Sequence, residues 1–534
     1  MLRPADNLGA MSDSISPSSA TASAKTPLAD APAPAPTAAE DGPAAGPAHP
    51  PTTEIVLSAP QRWRAFWVCV AVAGITILDL SKVNVALPSI ESALGAGSTE
   101  LQLIVSGYVL TFGLVLVPMG RLGDQRSRRA LFIVGLSLFT ITSLVCAVAV
   151  SPLMLMIGRL LQGVAAGIQM PQVLGLIQQL FQGKERGRAF GLFGATIGIA
   201  TAFGPTIGGL LILVGGATDG WRWIFWMNVP LGIIAIALAV WVLPKTRTRS
   251  RRALSFDLFG VLLFGLAVLS LMWPFLFTTG SPDDDPRRWW LLVLFVLFAG
   301  AFVAWERHYE SRGKQPLIRF ALFRISSFRN GTLLIAAYFT ALPALFLLTT
   351  LFLQTGVGLA AVYAGMVTIG FALASALFSW IGGNLVGTYG RPVVVWGLVG
   401  VLACVIGLAA AALFVPVEWV AWVMAGVMVI GGIGGGLVMS PNQTLTLGDI
   451  PVKQGGIAGS IGQLGQRIGT SVGTAVALSL FYATIYREGD STAPDIVVYH
   501  DAYAYGMTAV AVFVALAFLI SIVDLSSRRR GKRT

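Results

Sequence analysis

Two charged side chains stand three residues apart inside an otherwise apolar run, Leu78-Asp79-Leu80-Ser81-Lys82-Val83-Asn84-Val85-Ala86-Leu87-Pro88. At that spacing they share one face of a helix. If the run crosses a membrane, each lone ionised group costs about 2.5–3.5 kcal/mol even on the lenient insertion scale, so such residues face a polar interior and serve a pathway. A second run places Arg159, Gln162, Gly163 and Gly167 together, a guanidinium above a stripe of small residues that admits a neighbouring helix. The chemistry on offer is proton binding by Asp79 and charge recognition by Lys82 and Arg159. The competing possibility is a mutually neutralising pair that only holds helices together.

Composition says what must position these groups. The 534 residues are 55% apolar and only 11% charged, against roughly 25% charged in a soluble chain. Continuous apolar runs long enough to cross about 30 Å of hydrocarbon recur along the chain, and their Leu, Ala, Gly and Val content, without period-two alternation, argues for helices over a barrel. Spans are expected near 65–88, 101–120, 130–149, 152–178, 189–214, 223–243, 257–277, 289–305, 328–353, 360–380, 391–414, 419–446, 457–482 and 503–523. The fold class is therefore an all-α polytopic membrane protein with fourteen spans.

The net charge of +11 collects in alternate connections: Arg121 to Arg129, Lys184 to Arg188, Lys245 to Arg252, Arg307 to Arg319, and the tail Arg528 to Arg533. By the positive-inside rule these lie in the cytoplasm, as do both termini, so the net charge is a topology signal and no nucleic-acid partner is expected. The opposite connections are short or acidic, as at Asp283, Asp284 and Asp285. The organisation expected is a disordered Ala/Pro/Ser-rich tail over 1–60, a six-helix bundle over 61–243, an inserted two-helix linker over 244–325, a second six-helix bundle over 326–523 and a basic tail over 524–534. Cys69, Cys146 and Cys404 all fall in apolar runs, and His49, His308 and His500 lie far apart. No disulfide, metal site or cofactor is expected, and no nucleotide loop or nucleophile motif points to an enzyme.

Between the second and third spans, Gly120-Arg121-Leu122-Gly123-Asp124-Gln125-Arg126-Ser127-Arg128-Arg129 is a tight turn with one acid among four arginines. The fifth span carries Gly204, Pro205, Gly208 and Gly209, which remove a helix hydrogen bond and open a close packing face. The turn resembles the signature of the major facilitator superfamily, Arg159 to Gly167 its second motif, and Gly204-Pro205-x-x-Gly208-Gly209 its antiporter motif. Asp79 through Pro88, with Trp221-Arg222-Trp223-Ile224-Phe225 and Asn228-Val229-Pro230, resembles the fourteen-helix drug:proton antiporter family. The resemblance runs from about residue 62 onward.

It implies two six-helix bundles plus two inserted helices in the plasma (inner) membrane, acting as a monomer that exchanges small amphipathic compounds for protons by alternating access. Asp79 would be the coupling acid, tuned by Arg159; Gly120, Asp124, Arg128 and Arg129 would form a cytoplasmic gate; Gly204, Pro205, Gly208 and Gly209 would shape the antiporter helix. Read from the spans themselves, Asn84, Tyr108, Gln162, Asn228, Asn442 and Arg467, along with Gln169, Gln172, Gln443 and Gln463, are the candidate cavity-lining polar residues, with interhelical hydrogen bonding an equal account of many of them. Ser127, Ala200 and Lys82 depart from the family pattern. Of these Lys82 matters most, because a cation one turn from Asp79 favours the ionised carboxylate and favours an anionic, zwitterionic or neutral substrate over a cationic one. The alternatives are a transporter dedicated to one metabolite and a non-transporting membrane sensor or scaffold.

Overall fold

Fourteen helices long and apolar enough to cross a membrane account for almost all of the described chain. The computed structural model describes residues 57–216, 218–244, 257–278, 284–488 and 496–530. The expected tail up to residue 56, the Lys245–Arg252 cations, Asp283 and the last four residues lie outside that set. The first six spans are α1 Ala59–Leu94, α2 Glu100–Gln125, α3 Arg128–Ala147, α4 Pro152–Leu180, α5 Gly183–Gly215 and α6 Gly220–Val242. The next two are α7 Leu258–Leu276 and α8 Pro286–Ser311. The last six are α9 Ser326–Gly356, α10 Val362–Tyr389, α11 Pro392–Phe414, α12 Val417–Gly448, α13 Val452–Glu488 and α14 Ile496–Ser526.

Each expected span has its helix, with the ends set by local chemistry that hydropathy alone does not resolve. The Ser151 hydroxyl accepts from the Met154 N–H and caps α4, followed by Pro152, whose missing N–H costs nothing in a first turn. Ser127 caps the helix of α3 by accepting from the Ala130 N–H. α1 ends at Gly95, whose φ of 66° closes the helix in the left-handed region that glycine reaches without strain. α6 consists of two segments, Gly220–Trp226 and Asn228–Val242, joined through Met227, which keeps helical angles (φ −56°, ψ −35°). α14 continues past the expected boundary, through Asp524.

Glycines let the backbones approach. A Cβ added at Gly163 would lie 2.4 Å from the Tyr108 carbonyl oxygen of α2, and one at Gly473 would lie 1.7 Å from the Thr340 carbonyl oxygen of α9. Both are far inside van der Waals contact, so these small residues set the interhelical distance. Buried apolar side chains form one large cluster dominated by α1 to α5 and a second over α9 to α14. α7 lies where these two regions meet. The Met272 sulfur of α7 and Leu464 of α13 both approach Gly113 of α2, and the Leu276 carbonyl accepts from Gln102 of α2. α8 packs outside α7 and is mostly exposed on its apolar face.

Replacing Gly163 by Val is therefore expected to cost about 1–3 kcal/mol of stability by overpacking the α2–α4 contact. Gly265→Ala, where nothing lies within 4 Å of the added carbon, should be neutral. Thermal melting in detergent checks both, and equal melting temperatures would contradict this account of the packing.

Candidate transport site

Asp79, Lys82, Arg159 and Asn228 are fully buried and meet in one network. Arg159 donates to Asp79 Oδ2 at 2.8 Å and to Gln162 Oε1 at 2.7 Å, and its Nε donates to the Ile104 carbonyl at 3.2 Å. The Asn228 amide bridges the other two charges: its nitrogen donates to Asp79 Oδ1 at 2.6 Å, and its oxygen accepts from Lys82 Nζ at 2.7 Å. Lys82 and Asp79 themselves stand 3.6 Å apart. Ser143 accepts from both Gln162 and Asn228, and the Tyr108 ring lies 4.2 Å under the Arg159 guanidinium. Five helices, α1 to α4 and α6, thus converge on a single carboxylate.

Asn228 lies at the start of the second segment of α6, and its amide reaches the network from there. Two cations face one carboxylate here, and Arg159 Nη2 is buried without a hydrogen-bond partner. Protonating Asp79 would leave both cations uncompensated. Removing one partner of a buried ion pair costs about 3–5 kcal/mol, so this one carboxylate helps to hold the surrounding helices in place.

Lys82 also lies against the antiporter-motif glycines. A Cβ at Gly208 would meet the Lys82 carbonyl oxygen at 2.9 Å, and one at Gly204 would meet Ser81 Cβ at 2.3 Å. Gly209 is less constrained, and Pro205 sits within a helix that continues through it. The opposite half of α5 packs on α10. A Cβ would fall 2.4 Å from the Gly383 carbonyl at Gly187, 3.0 Å from the Ser379 carbonyl at Gly191, 3.3 Å from Ser379 Oγ at Gly194, and 3.8 Å from Ser375 Oγ at Gly198. The two helices touch at the Gly187 end and draw apart along their length.

That closed end is also where the signature turn works. Asp124 accepts from the Gly456 and Ile457 N–H groups at 3.0 and 2.9 Å. These belong to the first turn of the α13 helix, where N–H groups lack intrahelical partners and the helix dipole favours an anion. Arg128 pairs with Asp124 at 2.7 Å and donates to the Gly175 carbonyl of α4 at 2.6 Å. Gly120 brings α2 against Ser460 and Gly456 of α13. Arg129 is not in this cluster; it donates to the Val240 carbonyl of α6. Gln178 adds bonds to the Leu447 and Ile450 carbonyls, a contribution the sequence did not single out.

The expected cavity-lining residues divide. Arg467, Gln443 and Gln463 line a cavity between the two regions, together with apolar residues of α1, α4, α5 and α12. Tyr108, Gln162 and Asn228 belong to the Asp79 network instead, and Gln169 bonds Thr76. Asn84 is exposed and outside the network. Asn442 is a correction: it accepts from Arg391 and donates to the Gly331 carbonyl, in a buried cluster where Arg391 also pairs with Asp524. Asp524 escaped the sequence reading because it ends an apolar run beside three arginines and looks like part of a solvated tail.

Asp124→Asn should unpair a largely buried Arg128 and weaken the closed end. Amide exchange at Gly456 to Ser460 is expected to quicken by about tenfold or more, whereas Asp219→Asn, in a partly exposed pair, should change nothing there. Unaltered exchange in the first variant would contradict this assignment.

Comparison with known proteins agrees with the geometry. The Major Facilitator Superfamily model matches residues 69–474. The probable actinorhodin transporter of Streptomyces coelicolor is 32% identical over 467 residues, covering 85% of this chain and 77% of the relative. The tetracenomycin C resistance and export protein of Streptomyces glaucescens is 30% identical, covering 75% and 72%. Among solved structures, the human organic anion transporter MFSD10 superposes with a TM-score of 0.61 at 13% identity, covering 87% of this chain and all of that one, which speaks to fold alone. With fourteen helices, a signature turn joining α2 to α13 and a buried charge network in place, the chain is a multi-pass membrane transporter of small molecules and belongs to the Major Facilitator Superfamily.

Proposed function

We propose that the protein is a proton-coupled antiporter that exports small amphipathic compounds across the plasma membrane, with Asp79 as the coupling acid and the Asp124 end of the helices facing the cytoplasm. The observation that carries this reading is the fully buried Asp79, held at once by Arg159, Lys82 and Asn228. A carboxylate so placed is costly to a membrane protein unless its charge is used. On this reading the bundles span 61–243 and 326–523, the segment 244–325 carries the inserted pair, and both termini lie in the cytoplasm. The named activities of the relatives, export of and resistance to antibiotics, support the direction and the amphipathic cargo.

The coupling route follows the contacts. A proton on Asp79 releases Lys82 and Arg159 from their counter-ion. Lys82 packs on Gly208 of α5, and α5 in turn holds α10 through Gly187 and Gly191. A shift of α1 therefore acts on the helix that touches the other half of the molecule, which supports a rocking exchange of access. With one acid in the network, one proton per cycle is expected. Exchange for a monovalent cation is then electroneutral, and exchange for a neutral compound is driven by about 2.3 kcal/mol per 100 mV. Relatives named for one compound, actinorhodin or tetracenomycin C, favour a second reading in which the cargo is a single metabolite.

In liposomes with an imposed pH gradient, adding an exported compound should release protons through the native chain. Asp79→Asn should abolish that flux while leaving a folded protein. Unchanged flux in the variant would make Asp79 and Lys82 a structural pair only.

A further inference from the structure

The cavity between the halves has a feature that the Asp79 network does not explain. Its apolar wall includes Met170, Phe190, Phe193 and Met439, and Arg467 of α13 stands on the polar side. The Arg467 guanidinium lies 4.5 Å over the Phe112 ring, and its Nε is buried without a hydrogen-bond partner. One turn earlier on the same helix, the Gln463 Oε1 is likewise buried and unpartnered, as is the hydroxyl of Tyr108, whose ring neighbours Phe112. Among the described residues no carboxylate pairs with Arg467. The nearest charge network has none to spare, because Asp79 already faces both Arg159 and Lys82.

Three cations therefore stand against one carboxylate in the middle of the helices. Other buried arginines have a carboxylate built for them: Arg128 has Asp124, Arg159 has Asp79, and Arg391 has Asp524. An uncompensated guanidinium at this depth is costly, and one aromatic face offsets only part of that cost. At about 30 Å³ the cavity has room for no more than a water or two, far below the size of a ligand pocket. It includes Gly194 and Ile197 of α5, the stretch where α5 is drawing away from α10, so it lies where separation of the halves adds room.

We propose that this cavity binds the negatively charged group of an amphipathic anion, with Arg467 as its counter-ion and the Phe190, Phe193, Met170 and Met439 side chains against its apolar body. Gln463 then accepts a hydrogen bond from a hydroxyl on the same molecule. That the bound anion is cargo rests on the transport reading above; that it binds here does not.

Binding is measured by calorimetry on the full chain in nanodiscs with no pH gradient, using 2-naphthalenesulfonate, neutral 2-naphthalenesulfonamide and the trimethyl(2-naphthyl)ammonium cation as matched probes. The sulfonate is expected to bind at least about tenfold tighter than the other two. Arg467→Gln should erase that preference, and Arg467→Lys, which keeps the charge, should retain most of it; a melting temperature near that of the native chain shows that each variant is folded. Absent sulfonate binding, equal or tighter binding of the ammonium probe, or a preference unaltered in Arg467→Gln would each overturn the proposal. Proton-linked export of the ammonium probe without sulfonate binding would leave the transport reading standing and remove this one. Sulfonate binding that depends on Arg467, with no compound driving protons, would do the reverse.

Discussion

A charge buried in hydrocarbon must be met by something, and much of this structure follows from how that demand is satisfied around Asp79. Arg159 arrives from α4, Lys82 from the next turn of α1, and Asn228 from α6. Each needs its own helix in the right place. The glycines that let α2 and α4 approach and the capped starts of α3 and α4 serve that convergence. The low-dielectric surroundings that make the charges costly also make their pairing strongly directional. Loss of that one carboxylate would consequently touch five helices at once.

The two halves meet this demand differently. In the first half the ionic network lies in mid-helix with more positive than negative charge. In the second, Arg391 and Asp524 pair close to helix ends, with Asn330 and Asn442 completing the cluster. One arrangement gathers charges from several helices in mid-span and the other ties helix ends together. Among the described residues α7 and α8 join neither network; Met272 and Leu276 cover α2 beside α13.

Much of this was legible in the sequence because bilayer thickness imposes a length on every apolar run, and fourteen runs of that length leave little freedom in helix number. Asp79 and Lys82 declared themselves by spacing on one helix. Their other partners did not, since Arg159 is 80 residues away from Asp79 and Asn228 is 149 away; each stood out in a motif, but only the packing of α1, α4 and α6 joins them. Asn442 was misread for the same reason: a polar residue within a span can face the cavity or a neighbouring helix, and hydropathy does not distinguish the two. Gln178 and Asp524 sit at helix ends, where polar residues are ordinary and a tertiary role leaves no local mark.

The seam between α5 and α10 is built almost without side chains. At Gly187, Gly191 and Gly383 backbone meets backbone, with the side chains of Ser379 and Val386 beside them. Such a surface has few interlocking knobs to withdraw and few rotamers to unlock before it parts. Dispersion falls steeply with distance, so a gap of about 0.5–1 Å already forfeits a quarter to a half of each contact. The joint is therefore built as a snap fastener and not as a spring: its hold rests on close contact and weakens quickly with separation.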